Sequence, residues 1–396
     1  ARLFRPAAKT KMTETVGIIG DGQLGMLLCE AAPALSIKTV MLTSDATGPA
    51  ASRAAFAIEG AMDDEVAIAS LIEQCDVITY EREDVPEAAL AQLAEAEARE
   101  AVRCFPRLAT IALLQDKSRQ KQWLADNDLA TLPFVLSDGS RADLDHAVES
   151  LGFPVVQKSL RGGFDGRGVQ ILREPAALED AWPGATLFER FAGDFREIAV
   201  LVARREDGDS THFGPVDMTF EDAHSVLDTV SAPSSVSDAL QAQAVALAHR
   251  AIDAMDGVGV FGVEMFVLAS GEVLINEISP RVHNAGHYSL EACACSQFEQ
   301  HLRAVTGRPL AEVSLVSPAA MRNLLCTPAL HAAGHTEDAG THVDDHQSHI
   351  HWYGKSPARL MRKLGHITAL DSSADAALER TAKSWHQIQR QAESKP

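Results

Sequence analysis

Two glycine-rich loops, each directly behind a short apolar run, constrain this chain more than any other feature. Residues 16–19 run into Gly20-Asp21-Gly22-Gln23-Leu24-Gly25, and helical spacing follows to about residue 35. A strand that turns through glycines into a helix belongs to a parallel α/β unit. Residues 38–42 and 76–80 read as further strands, 66–74 and 86–98 as helices, so the alternation spans about 12–112. The second loop, Gly162-Gly163-Phe164-Asp165-Gly166-Arg167-Gly168, follows an apolar strand at 154–158 that ends on Lys158. It lacks the Gly-Lys-Ser/Thr ending of a Walker loop. It suits a flap whose backbone N–H groups and Arg167 cover a triphosphate while Lys158 meets the phosphates. A flexible surface hairpin is the plainer alternative.

Beyond the first unit, 113–126, 142–151, 236–255 and 289–305 read as helices, and 187–191 and 197–203 as strands. Residues 315–370 carry short strands, and 372–396 a terminal helix. At 396 residues the chain has room for two or three domains. It holds 35 Lys+Arg against 55 Asp+Glu, a formal charge of −20 that argues against a nucleic-acid surface. No apolar run reaches the roughly 20 residues needed to span a bilayer. Six scattered cysteines form no framework, which fits a reducing cytoplasm. Residues 1–11, basic and without an apolar core, read as a disordered extension; an organelle-targeting leader is the alternative.

The first loop exposes backbone N–H groups at a helix N-terminus, where an anion is favoured. With Asp45 at 20 residues past Gly25 it also meets the pattern of an NAD site. Glu81, at the end of the strand 76–80, faces the ligand crevice of a parallel sheet, or is a solvated loop carboxylate. Phe188-Glu189-Arg190-Phe191 could offer backbone groups to an adenine edge, and Glu197 could accept from ribose hydroxyls.

The most informative stretch is 261–277. Ser270-Gly271 reads as a two-residue hairpin loop, which sets Leu268 against Val273, Phe266 against Ile275 and Glu264 against Glu277. The two carboxylates then share a face with Cβ atoms roughly 4.5–5.5 Å apart. Opposed like charges need a shared proton or a cation, and hard carboxylate oxygens beside a polyphosphate suit Mg²⁺. A solvent-facing acidic pair is the bland alternative. Arg281, His283 and Asn284 follow at once; Arg281 could neutralise a developing anion and the other two could orient a small planar substrate. Seven of fifteen histidines fall in 331–366. A metal held by His342, His346, His349 and His351 is weighed there against an ordinary loop, which is the better fit. Lys355, Arg359, Arg362 and Lys363 form a basic patch suited to a sugar phosphate or to plain solvation.

Gly-Asp-Gly-Gln-Leu-Gly at 20–25, Gly-Gly-Phe-Asp-Gly-Arg-Gly at 162–168, Asn-Glu-Ile-Ser-Pro-Arg-Val-His-Asn-Ala-Gly-His at 276–287, Ser-Gln-Phe-Glu-Gln-His-Leu-Arg at 296–303 and His-Trp-Tyr-Gly-Lys at 351–355 occur in that order. On these blocks the chain resembles the N5-carboxyaminoimidazole ribonucleotide synthetase family, ATP-grasp enzymes of purine biosynthesis, over about 14–370. The resemblance implies an α/β ATP-grasp fold with a Rossmann-like N-terminal domain at 12–112. An ATP-grasp domain at 113–314 (small lobe about 113–190, large lobe about 191–314) and a small β-rich C-terminal domain at 315–396 follow. It implies a cytoplasmic homodimer. ATP would phosphorylate bicarbonate to carboxyphosphate, and the amine of 5-aminoimidazole ribonucleotide would take up the carboxyl group.

By motif position, ATP would meet Lys117, Lys158, Gly163, Phe164, Asp165, Gly166, Arg167, Gly168, Val169, Glu189, Arg190, Phe191, Ala192, Glu197, Asn276 and Glu277. Glu264 and Glu277 would hold Mg²⁺, and Arg281, His283 and Asn284 would be catalytic. Gly22, Gln23, Leu24, Glu81, Lys355, Arg362 and Lys363 would surround the ribonucleotide, with Arg359 a competing phosphate ligand. Asp21 departs from the asparagine the family often carries. The competing readings are another ATP-grasp ligase, such as a formate-dependent glycinamide ribonucleotide transformylase, and an NAD(P) oxidoreductase built on the first loop.

Overall fold

The computed structural model describes residues 14–163, 167–221, 226–332, 343 and 345–394. The expected extension at 1–11 and loop residues Phe164, Asp165 and Gly166 lie outside them.

A five-stranded parallel sheet opens the chain, in the order Phe56–Glu59, Ile37–Thr43, Glu14–Ile19, Val77–Tyr80, Arg103–Cys104. Val16, Ile18, Ile19, Val77, Ile78 and Tyr80 are fully buried, as both faces of such a sheet require. The strand order reverses about Glu14–Ile19, so the crevice at its carboxyl end is the ligand-binding position of an open α/β sheet. Gly20–Gly25 and Glu81 sit there.

A four-stranded antiparallel sheet follows, in the order Phe134–Ser137, Thr186–Arg190, Val155–Ser159, Val169–Leu172. Helix Arg141–Leu151 turns Leu144, Ala147 and Leu151 onto Val155, Leu172 and Phe188. Facing it is an eight-stranded sheet in the order Val273–Ser279, Gly259–Leu268, Phe195–Arg204, Ser210–Glu221, Val226–Ala232, Ala319–Leu325, Lys363–Leu370, Ser348–Trp352. Thr229–Ala232 pair with Ala319–Arg322, so the C-terminal strands extend the large lobe's own sheet.

Several expected elements are cut differently. The helix expected over 113–126 is two, Leu108–Leu114 and Lys117–Asp126, because Asp116 accepts from the N–H groups of Ser118 at 3.0 Å and Arg119 at 3.3 Å and starts a new helix. The helix expected over 289–305 breaks into Ser289–Ala292 and Gln297–Val305, restarted by Ser296 as its cap. The sequence reading had no strand at Phe56–Glu59, Val169–Leu172, Ser210–Glu221 or Val226–Ala232. The last two lie inside the large sheet and are carried by tertiary pairing, which overrides weak local signals.

Gly20 has φ +114°, and a Cβ there would lie 2.3 Å from Glu81 Cγ. Gly20→Ala should therefore cost about 2–5 kcal/mol through backbone strain and overpacking. A shift of the urea midpoint checks this; an unchanged midpoint would mean that the loop has room to relax.

Candidate active site

The cleft between the two antiparallel sheets is built from helix Lys117–Asp126 and the hairpin Gly259–Leu268/Val273–Ser279. Lys117 and Lys121, one turn apart, share the face that looks into it. Gln120 ties the helix to the hairpin: its side chain accepts from Ile278 N–H at 2.7 Å and donates to Ile278 carbonyl at 3.2 Å. On the other side, Ile275 N–H donates to Ala130 carbonyl at 2.7 Å and Thr131 Oγ1 donates to Ile275 carbonyl at 2.7 Å.

Between these two anchors lies a β-bulge. Glu264 pairs with Glu277 as expected, but Met265 pairs with Ile275, Phe266 with Leu274 and Val267 with Val273. The hairpin loop is one residue longer than expected, closed by Leu268 N–H donating to Glu272 carbonyl at 2.9 Å. Asn276 is the extra residue that brings the strands back into register. The expected pairs Phe266–Ile275 and Leu268–Val273 are thus wrong, while Glu264–Glu277 holds. A bulge re-aims side chains. Here it lets the consecutive Asn276 and Glu277 line one cavity with Lys117, Lys121 and Lys158.

Each cation in that cavity meets an acceptor. Lys117 Nζ lies 2.5 Å from Glu277 Oε2, and Lys121 and Lys158 reach the two oxygens of Glu189 at 2.6 and 2.5 Å. Lys158 also donates to Asn276 Oδ1 at 3.0 Å. Burial alone would raise the Glu189 pKa; Lys121 and Lys158 hold it at about 2. Burial pushes Lys121 down, against the pull of Glu189. For Lys117 the same burial is outweighed by Glu277, and its pKa rises. Burial would lift Glu264 too, but the hydrogen bond from His283 lowers it.

The turn after the hairpin supplies the polar wall. His283 Nε2 lies 3.1 Å from Glu264 Oε1, and its Nδ1 accepts from Ala285 N–H at 3.3 Å. These contacts place the ring proton on Nε2. Asn284 exchanges amide hydrogen bonds with Asn323, at 3.1 and 2.6 Å, and Asn323 donates to Leu227 carbonyl at 2.8 Å. Arg281 bridges to the parallel-sheet domain: its Nε and Nη2 reach Glu83 at 2.5 and 3.3 Å.

The first loop carries its own anion. Glu81, only 4% exposed, accepts from Gly22 N–H at 2.7 Å and Gly25 N–H at 2.9 Å. Burial raises its pKa, with those two bonds and Lys355 opposing. A dinucleotide phosphate expected on this loop would compete with Glu81, and Asp45 is engaged by Thr47 at 2.9 and 2.6 Å. The NAD reading is left without its phosphate cradle. Gln23 accepts from Lys355, which lies 5.3 Å above the Tyr353 ring. Lys355 thus stands at the first glycine loop, beside Gln23. Leu24 is buried in the core behind the loop. Arg362 Nη1 donates to Pro357 carbonyl at 2.9 Å, and Lys363 pairs into the sheet opposite Leu325.

Thr186–Arg190 is interior to its sheet, and the N–H groups of Arg190 and Phe191 donate to the carbonyls of Pro133 and Pro154. Those two donors are spent on the fold; Ala192 follows them toward the large sheet. Gly163 precedes residues 164–166 and Arg167, Gly168 and Val169 follow them; Ser159 N–H donates to Gly168 carbonyl at 2.9 Å. Glu197 faces Phe266 on the large sheet; burial, with Glu264 nearby, pushes its pKa to about 8. Among the described residues no group of three or more His, Cys, Asp or Glu could hold a metal; His342 lies outside them.

Lys121, Glu83, Gln120 and Asn323 were not singled out in the sequence. Lys121 had a signal, its four-residue offset from Lys117; Asn323 and Glu83 had none beyond their types.

An ATP-grasp domain model matches residues 122–298, a ribonucleotide synthetase preATP-grasp domain model residues 12–115, and a phosphoribosylaminoimidazole carboxylase C-terminal domain model residues 319–380. The N5-carboxyaminoimidazole ribonucleotide synthase of Synechococcus elongatus is 40% identical over 366 residues, covering 91% of this chain and 90% of that one. The phosphoribosylaminoimidazole carboxylase of Ogataea methanolica is 36% identical over 91% of this chain and 67% of its own length. The crystal structure of the Aspergillus clavatus N5-carboxyaminoimidazole synthase in complex with ADP and 5-aminoimidazole ribonucleotide superposes with a TM-score of 0.83 at 32% identity, covering 96% and 99% of the two chains.

Two measurements test the electrostatics. Glu189→Gln leaves Lys121 and Lys158 buried without their shared carboxylate and should cost about 3–5 kcal/mol by denaturant titration; a near-neutral result would mean that water reaches the pair. Glu197 has a native pKa raised from 4.5 to about 8, so it destabilises the fold increasingly as pH rises through that window and no further above it. The stability gained by Glu197→Gln should grow from pH 5 to 8 and then level off. A pH-independent difference would contradict this.

Proposed function

The chain belongs to the N5-carboxyaminoimidazole ribonucleotide synthase family of ATP-grasp ligases, and from that premise we propose how its residues divide the reaction. It is an ATP-dependent carbon–nitrogen ligase of purine biosynthesis that carboxylates 5-aminoimidazole ribonucleotide. The assignment of residues rests above all on the opposed pair Glu264/Glu277. The pair stands beside Lys117, Lys121 and Lys158 and is followed at once by Arg281, His283 and Asn284.

The γ-phosphoryl group of ATP passes to a bicarbonate oxygen, breaking its bond to ADP and giving carboxyphosphate. The substrate amine then bonds to the carboxyl carbon, the carbon–oxygen bond to phosphate breaks, and the amine gives up a proton. Lys117 and Lys158 exchange Glu277, Glu189 and Asn276 for phosphate oxygens, which charge-assisted donors are suited to hold. Lys121 stays with Glu189 and keeps that carboxylate ionised beneath them. Residues 163–169 and Arg167 cover the phosphates, while 189–192 and Glu197 meet the nucleoside.

Glu264 and Glu277 fit a divalent cation. Two hard oxygen donors stand directly opposed, each already compensated by a positive or donor group, and Mg²⁺ takes such oxygens together with phosphate and water. When bound, the ion would supply neutralisation of phosphate charge. His283, with its proton fixed on Nε2, keeps Glu264 oriented, and Asn284 is held in one amide orientation by Asn323. Arg281 meets the oxyanion of the carboxyl donor. Gly22, Gln23 and Leu24, fixed by Glu81, border the ribonucleotide, and Lys355, Arg362 and Lys363 meet its phosphate, with Arg359 in reserve. A homodimer in the cytoplasm is the expected working state. No helix among the described residues is long and apolar enough to cross a membrane.

Phosphate release should require ATP, Mg²⁺, bicarbonate and 5-aminoimidazole ribonucleotide together. Formate with glycinamide ribonucleotide should not substitute. Glu277→Ala should lower turnover by at least about 10²-fold, the scale of losing one electrostatic stabiliser. Release that ignores bicarbonate and the imidazole would sink the assignment.

A further inference from the structure

We propose that Glu83 is a positioning residue for the carboxyl-transfer step, fixing the guanidinium of Arg281 from the neighbouring domain so that its outer edge is presented to a planar oxyanion. This rests on Arg281 being the group that meets that oxyanion. Glu83 lies just beyond the strand Val77–Tyr80, two residues after Glu81, and the site assignment leaves it without a role.

Arg281 has five N–H donors. Nε–H and one Nη2–H go to the two oxygens of Glu83, at 2.5 and 3.3 Å, and one Nη1–H goes to Val282 carbonyl at 3.3 Å. Three donors are thus spent on holding the plane. One hydrogen remains on each terminal nitrogen, the fork that binds carboxylate-like groups at two points. Lysine could not reproduce this arrangement, because its ammonium has no plane to fix.

Glu83 is itself held. Its carbonyl accepts from Val85 N–H at 2.9 Å, and Gln115, oriented so that its amide nitrogen faces the loop, donates to the carbonyls of Glu83 and Val85 at 3.3 and 3.1 Å. Both side chains of the pair are mostly buried, 17% exposed for Arg281 and 24% for Glu83. Burial opposes ionisation of Glu83, but Arg281 and then Lys117 keep it charged. The pair crosses from the parallel-sheet domain to the end of the hairpin that carries Glu277. The oxyanion-facing group is thereby oriented by the domain that borders the ribonucleotide.

The test compares parent, Glu83→Gln and Glu83→Asp for ADP formed, carboxylated product formed and their ratio. Glu83→Gln keeps the size but offers one acceptor. A guanidinium freed to swing should lower kcat for product by about 10- to 100-fold, since misplacement of this order has effects of that size. KM for ATP should stay within about twofold, because Glu83 is not among the ATP contacts. ADP formed per product should rise, as bicarbonate activated without a fixed acceptor contact is lost to water.

Glu83→Asp keeps the charge and should recover part of the coupling; it also serves as the readout if the glutamine variant does not fold. Glu83→Gln and Arg281→Lys combined should be far from additive, since each removes the same fork. Parent-like kcat and coupling ratio in a folded Glu83→Gln, or additive effects in the pair, would overturn the role. If the parent makes no carboxylated product, it is the assigned reaction that fails and not Glu83.

Discussion

Glu189 sits between Lys121 and Lys158 with almost no access to water, and the rest of the cleft follows from keeping its buried charges partnered. A buried carboxylate is tolerated only if its partners come with it. The charges here belong to three segments: the helix after Asp116, the strand Val155–Ser159 that carries Lys158, and the strand that holds Glu189. Extending the same rule outward joins Lys117 to Glu277, His283 to Glu264 and Arg281 to Glu83. A site assembled in this way has its cations pre-positioned, and an incoming polyphosphate replaces carboxylates in contacts that already exist. It need not recruit side chains from solvent.

The β-bulge at Asn276 is the backbone counterpart of that charge arrangement. In a regular strand Asn276 and Glu277 would point to opposite faces. One inserted residue sends both into the cavity, where they serve different lysines. Gln120 and Thr131 clamp the strand on either side of it. The irregularity is therefore held in place by side-chain bonds from a separate helix and from the segment that follows it.

Much of this was legible in the sequence, and for identifiable reasons. The parallel domain shows itself because buried strands, glycine turns and amphipathic helices each have a local period. The opposition of Glu264 and Glu277 was found by counting back from Ser270-Gly271, although the count used too short a loop and no bulge. Two single-residue errors of opposite sign cancelled. What stayed hidden depends on partners distant in the chain. Thr229–Ala232 form a strand because Ala319–Arg322 lie alongside. Lys121 looks like any surface lysine until Glu189 is seen beside it. The first glycine loop signalled an anion correctly, but nothing local could say that the anion is Glu81, 56 residues beyond Gly25.

The continuity of the eight-stranded sheet has a geometrical consequence. The strand bearing Glu277 lies at one edge and Lys363 starts a strand near the other, with every intervening strand joined by backbone hydrogen bonds. Six strand intervals separate the two, about 30 Å at the usual spacing, farther than one ribonucleotide spans. The turn after Glu277 shortens that distance, because Asn284 reaches back over the sheet to Asn323, on the strand beside the one that begins at Lys363. The proposed carboxylating and phosphate-holding groups are thus brought together by a chain that doubles back over its own sheet, with one pair of amides as the clasp.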